Sequence, residues 1–233
     1  MKKVIFFDLG NTLVRYYEMV QFPGILQQAI NQVDHFLREY GCVMAPTEAF
    51  WQHIADENHE AADFRVRPLA DRLIRIFNLD GDLLGPEHTD KMCRAFMAPI
   101  FGLAVCYDDA LPTLTSLRER GYKLGLVSNS PWGSPANLWR EECDRLGLAS
   151  ALDVLVFCAD VGWRKPAHPI FRHAMEKLGV SAADCVFVGD DPRWDIAGPT
   201  TIGMDAILID RRGIPTQNGI DTINSLTELV GRF

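Results

Sequence analysis

Asp8 ends a short apolar run, Val4-Ile5-Phe6-Phe7, and is followed at once by Leu9-Gly10-Asn11-Thr12-Leu13. A run of this kind, closed by a turn signal, suits a strand buried on both faces. Asp8 then stands just past the strand's C-terminal end, the edge at which open α/β sheets bind ligands. Ser128-Asn129 closes a second apolar run and Asp190-Asp191 a third, while Lys165 lies in the loop Gly162-Trp163-Arg164-Lys165-Pro166. Parallel strands bring these ends to one rim, so three carboxylates, a hydroxyl and an ammonium converge there. Carboxylates so grouped repel one another unless a cation sits among them. Oxygen donors with no His or Cys nearby point to Mg²⁺, and a metal ion beside a lysine is a receptacle for phosphate. On this chemistry Asp8 is the nucleophile and forms an acyl-phosphate. Ser128, with Asn129 beside it, and Lys165 hold the phosphoryl oxygens, and the metal screens the anionic substrate from Asp8. Singly, each residue has a plain structural explanation: an Asp capping a loop, a Ser ending a strand, a solvated Lys. Their order and placement together do not.

The elements that must position this rim are readable from periodicity. Strand-like runs at 4–7, 122–127, 154–157, 185–188 and 206–209 alternate with helical patterns at 109–120, 134–146 and 169–178, and a short last helix starts at the capping box Ser225-Leu226-Thr227-Glu228. Such alternation implies a parallel sheet with helices on both faces, a Rossmann-like α/β core. Between the first two strands the pattern is helical throughout. Ile25, Leu26, Ala29, Ile30, Val33, Phe36, Leu37 and Tyr40 repeat at helical spacing up to Gly41, and further helices are expected over 48–62, 68–77 and from about Pro86. The expected organisation is a core of residues 1–15 plus 104–233 and an inserted helical cap of 16–103, hinged near Val14–Tyr16 and Gly102–Tyr107.

Composition narrows the function classes. The 233 residues carry a formal net charge of −8, and no Lys/Arg cluster exceeds a dipeptide, which disfavours nucleic acid and membrane surfaces as partners. Only four apolar residues separate Lys3 from Asp8, too few for a signal-peptide core, and no apolar stretch approaches a membrane span. Cys42, Cys93, Cys106, Cys143, Cys158 and Cys185 lie far apart with no Cys-x-x-Cys pair, which reads as reduced core thiols in a cytoplasmic protein. The partner expected is a small phosphorylated metabolite.

Four stretches, FFDLGNTL, LVSNS, GWRKP and FVGDDPRWD, resemble in content and order the motifs of the haloacid dehalogenase-like hydrolase superfamily. The resemblance spans residues 4–195 and implies a Rossmann-like sheet with a helical cap, and Mg²⁺-dependent hydrolysis of phosphate esters. It matches Asp8 to the nucleophile, Ser128 and Lys165 to the phosphate-binding residues, Asp190 to the acidic metal ligand and Asp195, near Asp191, to its supporting acid. One position departs. The phosphatases usually carry a second Asp two residues after the nucleophile, to protonate the leaving group and activate water. Here that position is Gly10, whose carbonyl still suits Mg²⁺ but which carries no proton shuttle. General acid–base catalysis is typically worth about 10²–10⁴ in rate. Three readings follow: a phosphatase that finds its proton elsewhere, a 2-haloacid dehalogenase, or a catalytically weak phospho-ligand-binding regulator. Asp190, Asp191 and Asp195 favour the first. Phosphonate cleavage would want a cap lysine, and the cap offers Lys91 alone.

His53 and His59 in the cap are candidates for a substitute acid, with His35 a surface residue. Tyr16-Tyr17 and Phe22 suit hinge packing, and Trp132 and Trp163 flank the phosphate seat as stacking or shielding groups. Pro199 should kink or shorten the helix after the last motif.

Overall fold

The computed structural model describes residues 2–41, 47–59, 61–81, 84–211, 213 and 219–233. The core is a six-stranded sheet: β1 (Val4–Phe7), β4 (Lys123–Ser128), β5 (Val154–Phe157), β6 (Cys185–Gly189), β7 (Asp205–Ile209) and β8 (Thr222–Ile223), in the spatial order β5-β4-β1-β6-β7-β8. Every pairing is parallel, and β1 sits between β4 and β6 with Phe7 opposite Leu126 on one side and Val188 on the other. All four residues of β1 are buried, as a strand covered on both faces requires. Ile5 and Phe7 face one hydrophobic layer, with α5 (Ala110–Glu119) and α6 (Ala136–Arg145); Val4 and Phe6 face the other, with α8 (His168–Leu178). The central position of β1 carries Asp8 to the middle of the rim.

Two short strands missed by periodicity, β2 (Val14–Arg15) and β3 (Val105–Cys106), pair antiparallel. They are the chain's way out of the core and its way back, held side by side. Between them lie α1 (Phe22–Glu39), α2 (Glu48–Glu57), α3 (Leu69–Ile76) and α4 (Pro86–Phe101), and among the described residues no strand of this segment joins the sheet. Helical spacing buries Ile25, Ala29, Ile30, Val33 and Leu37 of α1 against Met92, Cys93, Phe96, Met97 and Ile100 of α4. Each Ile, Val, Leu, Met or Phe among them contributes about 1.5–3 kcal/mol when fully buried. The second helix is shorter than its pattern suggests: it stops at Glu57, capped by Asn58, because Arg72 gathers the carbonyls of Glu57 and His59 into an irregular loop.

Smaller departures have local causes. Ser134 does not cap α6; its hydroxyl donates to the Pro131 carbonyl and accepts from the Trp139 indole N–H, and the helix opens one residue after Pro135. At α10 (Thr227–Arg232) the expected box forms with a one-residue shift: the Glu228 carboxylate accepts from the Asn224 and Ser225 N–H groups, and Ser225 Oγ accepts from the Thr227 N–H at 3.3 Å. Pro199 sits in α9 (Ala197–Thr201), a five-residue helix entered through a wide π turn over 192–196, so the expected shortening occurs. A one-turn α7 (Cys158–Val161) also follows β5. No helix among the described residues is long and apolar enough to cross a membrane. Four of the five described cysteines are buried, Cys106 is half-buried, and all five are free thiols; Cys42 lies outside the described residues.

Candidate active site

The rim gathers as its strand ends dictate. Asp8, Asp190 and Asp195 bring carboxylate oxygens within 4.8 Å of one another. Lys165, 1 % exposed, reaches into this group and donates to Asp8 Oδ1 at 2.6 Å and to Asp195 Oδ1 at 2.7 Å. Burial alone would lower the Lys165 ammonium, but Asp195 and Asp8 outweigh it and hold it above the usual lysine range. Asp195 is buried as deeply as Lys165 and is seated over the end of β6. A Cβ at position 189 would collide with its carboxyl, so Gly189 is what lets it lie there.

Asp190 makes no ion pair among the described residues. Burial, then the charges of Asp8 and Asp195, push its carboxyl up to about 7, opposed by a hydrogen bond from the Asn11 side chain and by the Lys165 charge. Three acids and one ammonium leave an excess of negative charge in a site largely closed to water. Removing that excess takes a cation with a preference for hard oxygen ligands, and Mg²⁺ fits the donor set. Asp8 and Asp190 are the carboxylates this cluster offers to it, with Asp195 committed to Lys165.

The loop carrying Gly10 is closed on itself. The Leu13 and Val14 N–H groups both donate to the Leu9 carbonyl at 2.9 Å, and Asn11, with φ of 54°, donates its N–H to the Val14 carbonyl at 2.7 Å. A Cβ added at Gly10 would meet nothing within 4 Å. The side chain absent from this position is therefore not excluded by crowding.

On the phosphate side, Ser128 ends β4 and is buried, its hydroxyl 3.4 Å from the Asn129 carbonyl. The Asn129 side chain, read from the sequence as part of the phosphate seat, is turned instead to the Lys165 backbone: Oδ1 accepts from the Lys165 N–H at 2.8 Å and Nδ2 donates to its carbonyl at 3.3 Å. It thus fixes the lysine loop to the serine loop. Asp191 is turned away from the acid cluster. Its carboxylate accepts from the Arg193 backbone and side chain, and its own N–H donates to Asp195 Oδ2 at 3.1 Å. Any support it gives runs through the backbone.

The remaining candidates are placed as follows. His35, His53 and His59 are exposed, and the His59 ring is engaged by the Asp56 carbonyl. Lys91 pairs with Glu87 on the outside of α4. Tyr16 packs edge-on against Trp139 and Tyr17 stacks on Phe22. Trp163 lies under the Arg65 guanidinium at 3.7 Å, and Trp132 sits against Phe96. Sequence reasoning passed over Asn11, and also Arg211, which donates to the Thr12 carbonyl at 2.7 Å and pairs with Asp109 at 2.8 Å. Asn11 had a signal, its place inside the turn after the nucleophile. Arg211 had none, being 199 residues from its partner carbonyl.

The chain is similar over nearly its whole length to proteins of known family. A glyceraldehyde 3-phosphate phosphatase of Methanothermobacter thermautotrophicus is 33% identical over 243 residues, covering 98% of this chain and 98% of that protein. A crystal structure of a HAD phosphatase from Thermococcus onnurineus superposes with a TM-score of 0.68 at 28% identity, over 100% of this chain and 97% of that one. A 2-haloacid dehalogenase from Pseudomonas syringae shares the fold, with a TM-score of 0.69 at 23% identity over 98% and 96% of the two chains. The model of the haloacid dehalogenase-like hydrolases matches residues 2–203. The chain belongs to that hydrolase family.

Proposed function

We propose that this protein is a Mg²⁺-dependent phosphatase of small phosphorylated metabolites, working through a covalent aspartyl-phosphate on Asp8. The observation that carries the reading is the unbalanced acid cluster: Asp8 is held against Lys165, while Asp190 beside it makes no ion pair among the described residues and is pushed up to about 7. An anion with several oxygens needs that ammonium and that metal site together. When bound, Mg²⁺ at Asp8, Asp190 and the Gly10 carbonyl neutralises charge on the phosphoryl oxygens. Asp8 attacks phosphorus through the carboxylate oxygen not engaged by Lys165. The Lys165 ammonium, kept charged by Asp195, and the Ser128 hydroxyl hold the phosphoryl oxygens. Water then hydrolyses the acyl-phosphate and frees Asp8. With Gly10 in place of an acid, the leaving oxygen takes its proton from water.

The helical segment 16–103 acts as the cap over a core of 1–15 plus 104–233, and the paired strands β2 and β3 are its hinge. Glyceraldehyde 3-phosphate is the first substrate to try, because the similarity to the Methanothermobacter phosphatase runs the length of both chains. The dehalogenase and regulatory readings are less well supported, since Asp190 and Asp195 complete a metal-binding rim that a haloacid does not need. A panel of phosphate monoesters, assayed with Mg²⁺ and with chelator, tests the proposal. Mg²⁺-dependent release of inorganic phosphate is expected. Halide release from 2-haloacids with no phosphate release from any ester would overturn it.

A further inference from the structure

The loop after Ser128 holds its shape against its own backbone preference. Trp132 has φ 56° and ψ 14°, the left-handed region that a bulky side chain rarely occupies. Such a conformation persists only where its surroundings enforce it, and here the surroundings are the cap. The Trp132 ring lies 5.1 Å from that of Phe96 in α4, and the Arg72 guanidinium, from α3, is 5.5 Å from the Trp132 ring. Arg72 is itself buried and fixed by main-chain carbonyls, including that of Arg67 at 3.2 Å. Next in the chain, Gly133 has φ +67°, and a Cβ there would collide with the Arg67 carbonyl, so cap and loop backbones touch.

The same cap segment rests on the lysine loop. Val66 donates its N–H to the Gly162 carbonyl at 3.0 Å, and the Arg164 N–H donates to the Phe64 carbonyl at 2.8 Å. Residues 64–67 therefore bear on both loops of the phosphate seat, one leading from Ser128 and the other into Lys165.

We propose that Trp132 is a positioning residue through which cap docking assembles the phosphate seat. It rests on the reading of Ser128 and Lys165 as that seat. With the cap docked, the Trp132 ring is held between α3 and α4 and the left-handed turn is enforced. With the cap away, the turn keeps its own hydrogen bonds, from the Gly133 N–H to the Ser130 carbonyl and from the Ser134 N–H and hydroxyl to the Pro131 carbonyl, but Trp132 loses the ring contacts that offset its left-handed strain, and the loop and the Ser128 hydroxyl shift. Phosphate binding and cap closure are then one event, and bulk water meets a seat that is not formed.

The test separates backbone strain from ring packing. Trp132→Gly and Trp132→Asn remove the ring but tolerate the left-handed turn; Trp132→Ala and Trp132→Leu remove the ring and keep the strain. Binding of inorganic phosphate to the Mg²⁺-loaded protein is measured by calorimetry, with Tm as a check on folding. The Ala and Leu variants should bind phosphate roughly tenfold more weakly than the Gly and Asn variants, and Trp132→Phe should stay near the parent. Equal weakening in all four, or no weakening in any, would overturn the proposal and leave Trp132 a packing residue. If the parent protein with Mg²⁺ does not bind phosphate, the phosphatase reading falls, and the role of Trp132 falls with it.

Discussion

Two charge clusters lie on the same rim of the sheet, a buried one around Lys165 and a half-buried one around Arg211, and their balance differs. Arg211 meets Asp109 with two nitrogens, at 3.1 and 2.8 Å, lies 3.7 Å above the Tyr107 ring, and gives its other bonds to the Thr12 carbonyl. Asp109 also accepts from Ser225 Oγ and the Leu226 N–H. Burial would raise the Asp109 carboxyl, but these partners outweigh it and hold it below the ordinary range. Around Lys165 the count is three carboxylates to one ammonium, and Asp190 is pushed up to about 7. A paired cluster serves the scaffold: it ties the loop after Asp8 to the start of α5 and to the C-terminal segment. An unpaired one stores unfavourable charge that a ligand can relieve, which is how sites with perturbed pKa values mark function.

The comparison can be broken at its strongest point. Asp8→Asn keeps the shape of the side chain and removes the nucleophile, so turnover should fall by about 10³ or more while circular dichroism and Tm stay close to the parent. Appreciable Mg²⁺-dependent turnover by that variant would take Asp8 out of its role.

Gly10→Asp should move activity the other way. The open space at Gly10 admits a Cβ, and an acid there would protonate the leaving oxygen. Turnover of alkyl phosphates, whose leaving groups most need a proton, should rise by about 10²-fold, with a smaller gain for p-nitrophenyl phosphate. The parent should show a burst of p-nitrophenolate followed by slow turnover as phosphorylated Asp8 accumulates. Linear kinetics with equal rates for aryl and alkyl esters would mean that another residue already supplies the proton.

The two clusters also differ in how visible they are in the sequence. Asp195, inside the π turn over 192–196, is reached only through the motif resemblance. Asp8 and Asp190 sit just beyond strand ends, and a strand end is set by the alternation of apolar runs and turns, so their meeting follows from local pattern and parallel topology. The helical segment was legible for the same reason, since the spacing of Ile25 to Leu37 is local. Arg211, Asp109 and Ser225 meet only through the tertiary fold, and nothing in their neighbours announces it. Trp132 is illegible in another way: Pro131-Trp132-Gly133 reads as a turn, but which residue takes the left-handed conformation is decided by Phe96 and Arg72, both in the cap. The early end of α2 likewise depends on Arg72.

Arg211→Met should therefore destabilise without being an active-site lesion in the chemical sense. It strands Asp109 in a half-buried site, and leaving such a group without its partner costs about 1–3 kcal/mol. Adding Asp109→Leu should recover much of the loss, and denaturant melts of the two single variants and the double variant give the coupling directly. Additive losses would mean that the pair is not a unit, and its contrast with the Lys165 cluster would lose its basis.

The smallest effect is a pH dependence of opposite sign in the two clusters, read in the metal-free protein with chelator present. A carboxyl whose folded pKa is raised binds its proton more tightly folded than unfolded. Asp190 should therefore cost stability progressively as pH rises from about 4, its ordinary range, to about 7, where its folded value lies, and the cost is complete above that. Asp109 is the reverse case: its contribution is present above the ordinary carboxylate range and is lost as pH falls through its lower folded value. Asp190→Asn removes the charge without removing the hydrogen-bonding group, so its Tm advantage over the parent should grow between pH 5 and pH 8. Mg²⁺ should act on the same charge. At pH 8 it binds a carboxylate already ionised, whereas at pH 6 it must displace a proton, so affinity should weaken by up to about tenfold per unit below 7. The Tm gain from Mg²⁺ should accordingly be larger at pH 8 than at pH 6 in the parent and small at both in Asp190→Asn. A gain from Mg²⁺ that is equal at the two pH values, and equal in the variant, would place the metal away from Asp190 and undo the reading of the rim as an unbalanced site.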